Sequence, residues 1–125
     1  MKVDSKIPCE WFSKGDDDLS ISKVLFKEEY YNATGFHSQQ AVEKYLKGYV
    51  VLHNLQFEKK HNLETLLKVC SKFNDGFEKF LNGVRILDSY YLPTRYPMPW
   101  ADIDKKLAQE SIKIAEEIIN FIKNL

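Results

Sequence analysis

The stretch from residue 32 to residue 54, NATGFHSQQAVEKYLKGYVVLHN, constrains the fold of this chain more than any other. Its apolar residues recur at intervals of three and four, the spacing of one buried side of an α-helix. That apolar side consists of Val42, Tyr45, Leu46, Tyr49 and Leu52. The sequence therefore predicts a long helix around which the other segments are arranged, with Asn32 as its N-cap.

A second, polar row follows the same helical period. It consists of Gln40, Glu43, Lys44 and Lys47, which stand at i, i+3, i+4 and i+7 and so share one face of the predicted helix. Exposed helices ordinarily carry glutamate and lysine at this spacing, so the row is typical of a solvated surface. It is also the pattern expected of a wall of a polar site, and the spacing alone leaves both interpretations open.

The other long segments repeat their apolar residues at three and four as well, and none alternates with a period of two. Helices are predicted over residues 8–28, from about residue 61 to 72, after residue 76 and over residues 102–123. In the first of these, Ile21 and Leu25 are placed on the buried side and the acidic run at 16–18 in solvent. Gly15 indicates either a close approach of helices or nothing in particular. The sequence thus predicts an all-α fold of four to five helices in a single domain, residues 1–125.

Composition excludes several classes of protein. With 18 basic and 18 acidic side chains the formal net charge is zero, so no basic stripe is available for general duplex binding. Cys9 and Cys70 lack CxxC spacing and are predicted to be free thiols in a reducing compartment. No apolar run approaches the ~20 residues that span a bilayer, which predicts a soluble, cytoplasmic protein without membrane contact. The three histidines, His37, His53 and His61, show no metal-ligand spacing, so neither a metal nor a cofactor is predicted.

The segment from residue 90 to 100, YYLPTRYPMPW, combines prolines, aromatic rings and one arginine. Its prolines prevent a continuous helix, and loops held between rigid helices are where ligand contacts concentrate. Arg95 offers a planar fork of donors for a phosphate, and the aromatic residues here could stack on a base: Tyr90, Tyr91, Tyr96 and Trp100. In the alternative interpretation the rings close the end of the bundle and Arg95 pairs with Asp18 or Glu43. His61 could either cap the third helix or contact a ligand.

Several of these motifs, taken in order, resemble the HEPN domain, a name that stands for higher eukaryote and prokaryote nucleotide-binding. The resemblance covers nearly the whole chain and rests on five blocks: Trp11 with Asp18-Leu19, Phe36-x-x-Gln39-Gln40-Ala41-x-Glu43-Lys44-x-x-Lys47, His61-Asn62-Leu63, Tyr90-Tyr91-x-x-x-Arg95-Tyr96-Pro97, and an amphipathic C-terminal helix. It implies an up-and-down helical bundle that commonly forms homodimers. It also implies contact with a nucleotide or RNA, and pairing with a minimal nucleotidyltransferase in prokaryotic toxin–antitoxin systems.

The sequence departs from the family's ribonuclease motif, Arg-x4-6-His. After Arg95 the positions for the histidine are occupied by Trp100, Ala101 and Asp102. Loss of the imidazole removes the usual general base, at a cost of about 10²–10⁴ in rate. Asp102 could stand in, but a carboxylate with an ordinary pKa near ~4 is a weak base at neutral pH. The resemblance therefore supports binding more than cleavage.

Three functions follow, in order of preference. The first is a homodimeric nucleotide- or RNA-binding protein with a nucleotidyltransferase partner, whose contacts are Gln40, Glu43, Lys44, Lys47, His61, Arg95 and Tyr96. The second is a metal-independent RNA-cleaving toxin that uses Arg95 and Asp102. The third is a helical scaffold whose dimer surface is its function.

Overall fold

The computed structural model describes residues 6–56, 62–90 and 102–125, and these form helices joined by short connections. The α-helices are α1 (Lys6–Lys27), α2 (Tyr31–Leu52), α3 (Leu63–Phe73), α4 (Leu81–Ser89) and α5 (Lys105–Lys123), and a 3-10 helix (Asp75–Phe80) leads into α4. No strand occurs in the described ranges. The predicted all-α helical bundle is confirmed.

Helix α2 is the central element, as its sequence predicts. It packs against α1, α3, α4 and α5. Because four helices cover it, most of α2 is buried, including polar positions: Thr34, Gly35, Ser38, Gln39, Ala41, Val42, Glu43, Tyr45, Leu46, Gly48, Tyr49 and Val50. A helix covered on this many sides cannot be a solvated surface helix with one apolar stripe.

Two glycines set the distance between α1 and α2. A Cβ atom at Gly15 would lie 2.5 Å from a ring carbon of Tyr45, and a Cβ atom at Gly48 would lie 2.6 Å from a ring carbon of Phe12. Real Cβ atoms do not approach carbon so closely, so a side chain at either glycine would force the neighbouring ring or the helices themselves to shift. Of the two interpretations of Gly15, close helix approach is the correct one.

Side-chain caps define several helix ends. Asn62 accepts a hydrogen bond from the Thr65 amide at 2.8 Å, and Asp104 accepts one from the Leu107 amide at 2.8 Å. Each cap satisfies a backbone donor that has no partner within its helix. Asn62 lies in the segment where the sequence places the start of the third helix.

The predicted N-cap of α2 is wrong. The cap position is Tyr30, which makes no side-chain cap bond. The amide of Asn32 instead bridges to the segment before α5: its Nδ2 donates to Asp102 Oδ1 at 3.0 Å, and its Oδ1 accepts from the Ile103 amide at 2.8 Å. A side-chain amide can donate and accept at once, so this contact ties the start of α2 to the start of α5.

Two apolar residues predicted to be buried are exposed. Ile21 lies on an uncovered side of α1, because α1 contacts only α2 and α5 extensively. Leu52 is 46% exposed because it is the last residue of α2.

The helix predicted after residue 76 is also shorter than its aromatic spacing indicates. Phe77 and Phe80 belong to the 3-10 helix, where residues three apart lie on one side, and both rings contact Phe121, with centroids 5.0 and 5.2 Å away.

Both cysteines are free thiols, as predicted. Cys9 is exposed, whereas Cys70 is buried and lies 3.9 Å from the Leu46 carbonyl oxygen. Burial raises the pKa of the Cys70 thiol to about 12, which keeps it protonated and unreactive. Across the described ranges, no helix is both long and apolar enough to cross a membrane.

Candidate functional site

The row Gln40, Glu43, Lys44 and Lys47, here called the polar face, lies beside α1 and is largely covered. Glu43 is buried, and the side chain of Lys47 is only 14% exposed. The two are paired along the helix, with Lys47 Nζ 3.2 Å from Glu43 Oε1. Lys47 also lies over the Trp11 ring of α1, 5.6 Å from its centroid. The interpretation of the row as a solvated surface is therefore wrong, and its interpretation as a wall of a polar site stays a prediction.

Asp18 links α1 to α2 through two basic side chains. Lys44 Nζ donates to Asp18 Oδ2, and His37 Nδ1 lies 2.9 Å from Asp18 Oδ1. Asp18 is only 6% exposed, whereas the side chains of His37 and Lys44 are each 26% exposed. Burial of a carboxylate is tolerated here because both of its oxygens accept hydrogen bonds from basic groups. The prediction that the acidic run 16–18 is solvated is therefore wrong at Asp18.

His37 is the residue of this cluster that sequence reasoning missed. The spacing of the histidines bears only on metal binding and says nothing about this contact. Positions 37, 40 and 44 follow a helical period, so His37 shares a side of α2 with Gln40 and Lys44, and this signal could have found it. The contact with Asp18 could not be found this way, because 19 residues and a helix boundary separate the two.

A chain of polar contacts joins the polar face to the end of α4. Gln40 Nε2 donates to Gln39 Oε1 at 2.7 Å, and the buried Gln39 is hydrogen-bonded to the Asp88 carboxylate. Asp88 also accepts hydrogen bonds from the Leu63 amide at 2.9 Å and the Glu64 amide at 3.1 Å, which caps α3. Burial raises the pKa of Asp88, and the hydrogen bonds it accepts partly oppose that rise.

Three predicted site residues, His61, Arg95 and Tyr96, lie outside the described residues, so their roles remain predictions. The described chain ends at the buried Tyr90 and resumes at Asp102. Both limits are tied to α2: Asp88, two residues before Tyr90, bonds Gln39, and Asp102 bonds Asn32. Asn32 and Gln39 are seven residues apart and so lie on one side of α2, next to Glu43 of the polar face.

The charges of the polar face are compensated within the described residues. Lys44 pairs with Asp18 and Lys47 with Glu43. These pairs fix two ammonium groups in position without creating a broad positive surface. In residues 6–56, 62–90 and 102–125, no three His, Cys, Asp or Glu side chains are grouped so as to hold a metal ion.

The structure also contains a cavity of about 560 Å³ between the C-terminal ends of α2 and α5. Its lining is mainly aromatic and aliphatic and includes Phe12, Tyr45 and Tyr49. Burial, with a hydrogen bond from Tyr45 Oη to Asp16 at 2.5 Å, raises the pKa of Tyr45. None of the predicted site residues in the described ranges lines this cavity.

The chain is thus a helical bundle whose central helix carries the polar face, and ion pairs balance the lysine charges of that face. A model of the HEPN domain family matches residues 9–125, and this chain belongs to that family. A protein of Methanocaldococcus jannaschii named "Putative toxin MJ1304" is 26% identical over 128 residues, which cover 91% of this chain and 84% of that protein.

Two solved structures have the same fold. TT1696 from Thermus thermophilus has a TM-score of 0.78 and 25% identity, with coverage of 94% of this chain and 96% of that one. ST0689, described as an archaeal HEPN homologue, has a TM-score of 0.77 and 25% identity, with coverage of 99% and 98%. The likeness extends over nearly the full length of each chain, so the family assignment applies to the whole bundle.

Proposed function

We propose that this chain is a nucleotide- or RNA-binding HEPN protein. It acts as a homodimer together with a minimal nucleotidyltransferase, in a pair of the toxin–antitoxin kind. The ligand contacts are the polar face, Arg95, Tyr96 and His61. The partner and the pairing come from family likeness, and the name of the M. jannaschii relative supports the toxin–antitoxin setting.

The observation that carries the proposal is the attachment of both limits of segment 91–101 to one side of α2. Asp88 reaches Gln39 just before the segment, and Asp102 reaches Asn32 just after it. Arg95 belongs to that segment, and Gln40 and Glu43 follow Gln39 along α2. An arginine is suited to a phosphate, because its planar fork of donors matches two phosphate oxygens.

RNA cleavage with Asp102 as the base is the second candidate. The toxin name of the relative favours it, but the geometry of Asp102 does not. Its carboxylate accepts a hydrogen bond from the side-chain amide of Asn32 at 3.0 Å, just before the start of α5. This contact joins the start of α2 to the start of α5. A scaffold that binds no ligand is the third candidate.

Arg95→Ala tests the proposal. We expect it to weaken RNA binding by about 1.5–3 kcal/mol, the scale of a hydrogen bond to a charged group, with little change in melting temperature. Arg95→Lys recovers only part of the loss, because lysine keeps the charge without the fork. Fluorescence anisotropy with a labelled single-stranded RNA, in the presence of chelator, measures the affinity.

The chain offers a matched control in its other arginine. Arg85 lies on α4 and pairs with Glu64, with Nε 2.6 Å from Oε1, and its side chain is half exposed. We expect Arg85→Ala to leave RNA binding unchanged. A lower melting temperature for Arg95→Ala without a separate loss of affinity would show that Arg95 is structural. Cleavage that is abolished by Asp102→Asn would favour the second candidate instead.

The homodimer is tested separately. Sedimentation at micromolar concentration should give a species of twice the 14.7 kDa chain mass. Exposed apolar side chains such as Val24 and Ile21 on α1 are consistent with an interface. A monomer at every concentration would remove the dimer from the proposal and leave the RNA-binding experiment unaffected.

A further inference from the structure

The Asp18–His37–Lys44 cluster contains a titratable ring that is held in one orientation and remains open on one side. Asp18, when ionised, can only accept hydrogen bonds, so His37 Nδ1 carries the proton of the 2.9 Å contact. Nε2 is the ring nitrogen left for another partner. In the described part of the chain no hydrogen bond to Nε2 is present, and the side chain of His37 is 26% exposed.

The cluster has a charge that changes by one unit with the state of His37. With a neutral ring, the charges of Asp18 and Lys44 cancel. A proton on Nε2 makes the cluster cationic and adds an N–H donor to those that Lys44 does not use on Asp18. A phosphate bound there would favour that protonated form, because an opposite charge nearby stabilises the charged imidazole.

We propose that His37 and Lys44, positioned by Asp18, receive a phosphate group of the ligand, and that binding is coupled to uptake of one proton by His37. The inference rests on the proposed function, since it assigns a further phosphate contact to the same polar face. His37 Nε2–H and Lys44 Nζ donate to phosphate oxygens. Asp18 is a positioning residue, which fixes the ring but does not contact the ligand.

Two charged groups share the cluster with His37, and other elements contact α2 nearby. Helix α1 meets His37 through Asp18, and Lys44 of α2 shares that carboxylate. Helix α5 meets the next residue, Ser38, through the uncharged Ser111 hydroxyl at 3.1 Å. Helix α4 meets α2 through Asp88 on Gln39, which lies roughly 200° around the helix from His37 and therefore on another side of it.

His37→Asn is the informative variant, because the Asn amide can still donate to Asp18 from the position of Nδ1 but cannot titrate. Affinity for a short single-stranded RNA is measured by anisotropy between about pH 5 and 8, the range in which imidazole changes charge. We expect wild-type affinity to fall by up to about tenfold per pH unit, the limit for one linked proton. His37→Asn should bind weakly and without this slope.

Calorimetry gives an independent readout. Binding heats in two buffers of different ionisation enthalpy should show net proton uptake by the wild-type protein and none by His37→Asn. His37→Gln serves as a second variant if the asparagine lowers the melting temperature. The matched control is His53→Gln, because His53 stacks on Tyr49 and Phe73 with centroid distances of 4.4 Å each and lies outside the polar face. It should retain both the slope and the uptake.

The outcomes separate the two proposals. If the wild type binds RNA but His37→Asn shows the same pH slope and the same proton uptake, the role of His37 is wrong and the proposed function stands. If the wild type binds no RNA at any pH, the proposed function is wrong, and the phosphate contact with it. A cluster that merely ties α1 to α2 would lower the melting temperature when altered but would not change the proton count.

Discussion

Leu46→Asp is expected to leave the protein unfolded at room temperature. Leu46 is fully buried on the central helix, so the change removes a packed side chain and places a carboxylate among apolar groups. Loss of the leucine alone costs about 3–5 kcal/mol, and an unpaired buried charge adds several more. Because a small domain is stable by only about 5–15 kcal/mol, the sum is enough to unfold it. Far-UV circular dichroism measures the loss of helix.

The same helix provides the control for this prediction. Leu52 lies six residues further on and is 46% exposed, so the same carboxylate there remains in contact with water. We expect Leu52→Asp to change the free energy of unfolding by less than about 1 kcal/mol. Equal melting temperatures for Leu46→Asp and the wild type would contradict the buried position of Leu46.

Lys44→Met has the second largest expected effect on stability. It leaves the Asp18 carboxylate buried with only His37 as a partner. Removal of one member of a buried ion pair costs about 3–5 kcal/mol, and the remaining histidine contact places this case near the lower end, about 3 kcal/mol. Chemical denaturation at neutral pH measures the difference in unfolding free energy.

A double variant separates the cost of leaving the Asp18 carboxylate without its lysine from the cost of lost packing. Asp18→Asn removes the carboxylate and keeps its shape, so Asp18→Asn combined with Lys44→Met should be more stable than Lys44→Met alone. Such non-additivity is the signature of a direct interaction between neighbouring side chains. Additive losses would indicate that the Lys44 ammonium and the Asp18 carboxylate do not stabilise one another.

The sequence predicts this fold well because its information is local. Intervals of three and four identify each helix, and Asn62 is a cap whose partner is three residues away. Errors arise where a neighbour from another part of the chain decides the outcome. Asn32 has the residue type and position of a cap, yet its amide bonds Asp102 and Ile103, about 70 residues later, because the start of α5 packs beside it. Periodicity cannot show which helix covers a given stripe.

The candidate site is predictable in part for the same reason. The polar face is a property of one helix, so its membership follows from spacing. Its burial and its pairing do not, because they depend on α1, and Asp18 lies 26 residues from Lys44. The assignments of Arg95, Tyr96 and His61 rest on the residue types in their segments and on family likeness, and their test is experimental.

The two glycines at the α1–α2 contact affect how mutational scans of this protein are interpreted. Gly15 is one helical turn from Asp18, and a Cβ atom on it would meet the ring of Tyr45. Loss of binding on substitution of Gly15 or Gly48 would therefore reflect a disturbed contact between α1 and α2, which also carries the ionic contacts between them. A scan that ranks positions by loss of activity alone would score both glycines as binding residues, so a fold measurement on each variant is needed to separate the two effects.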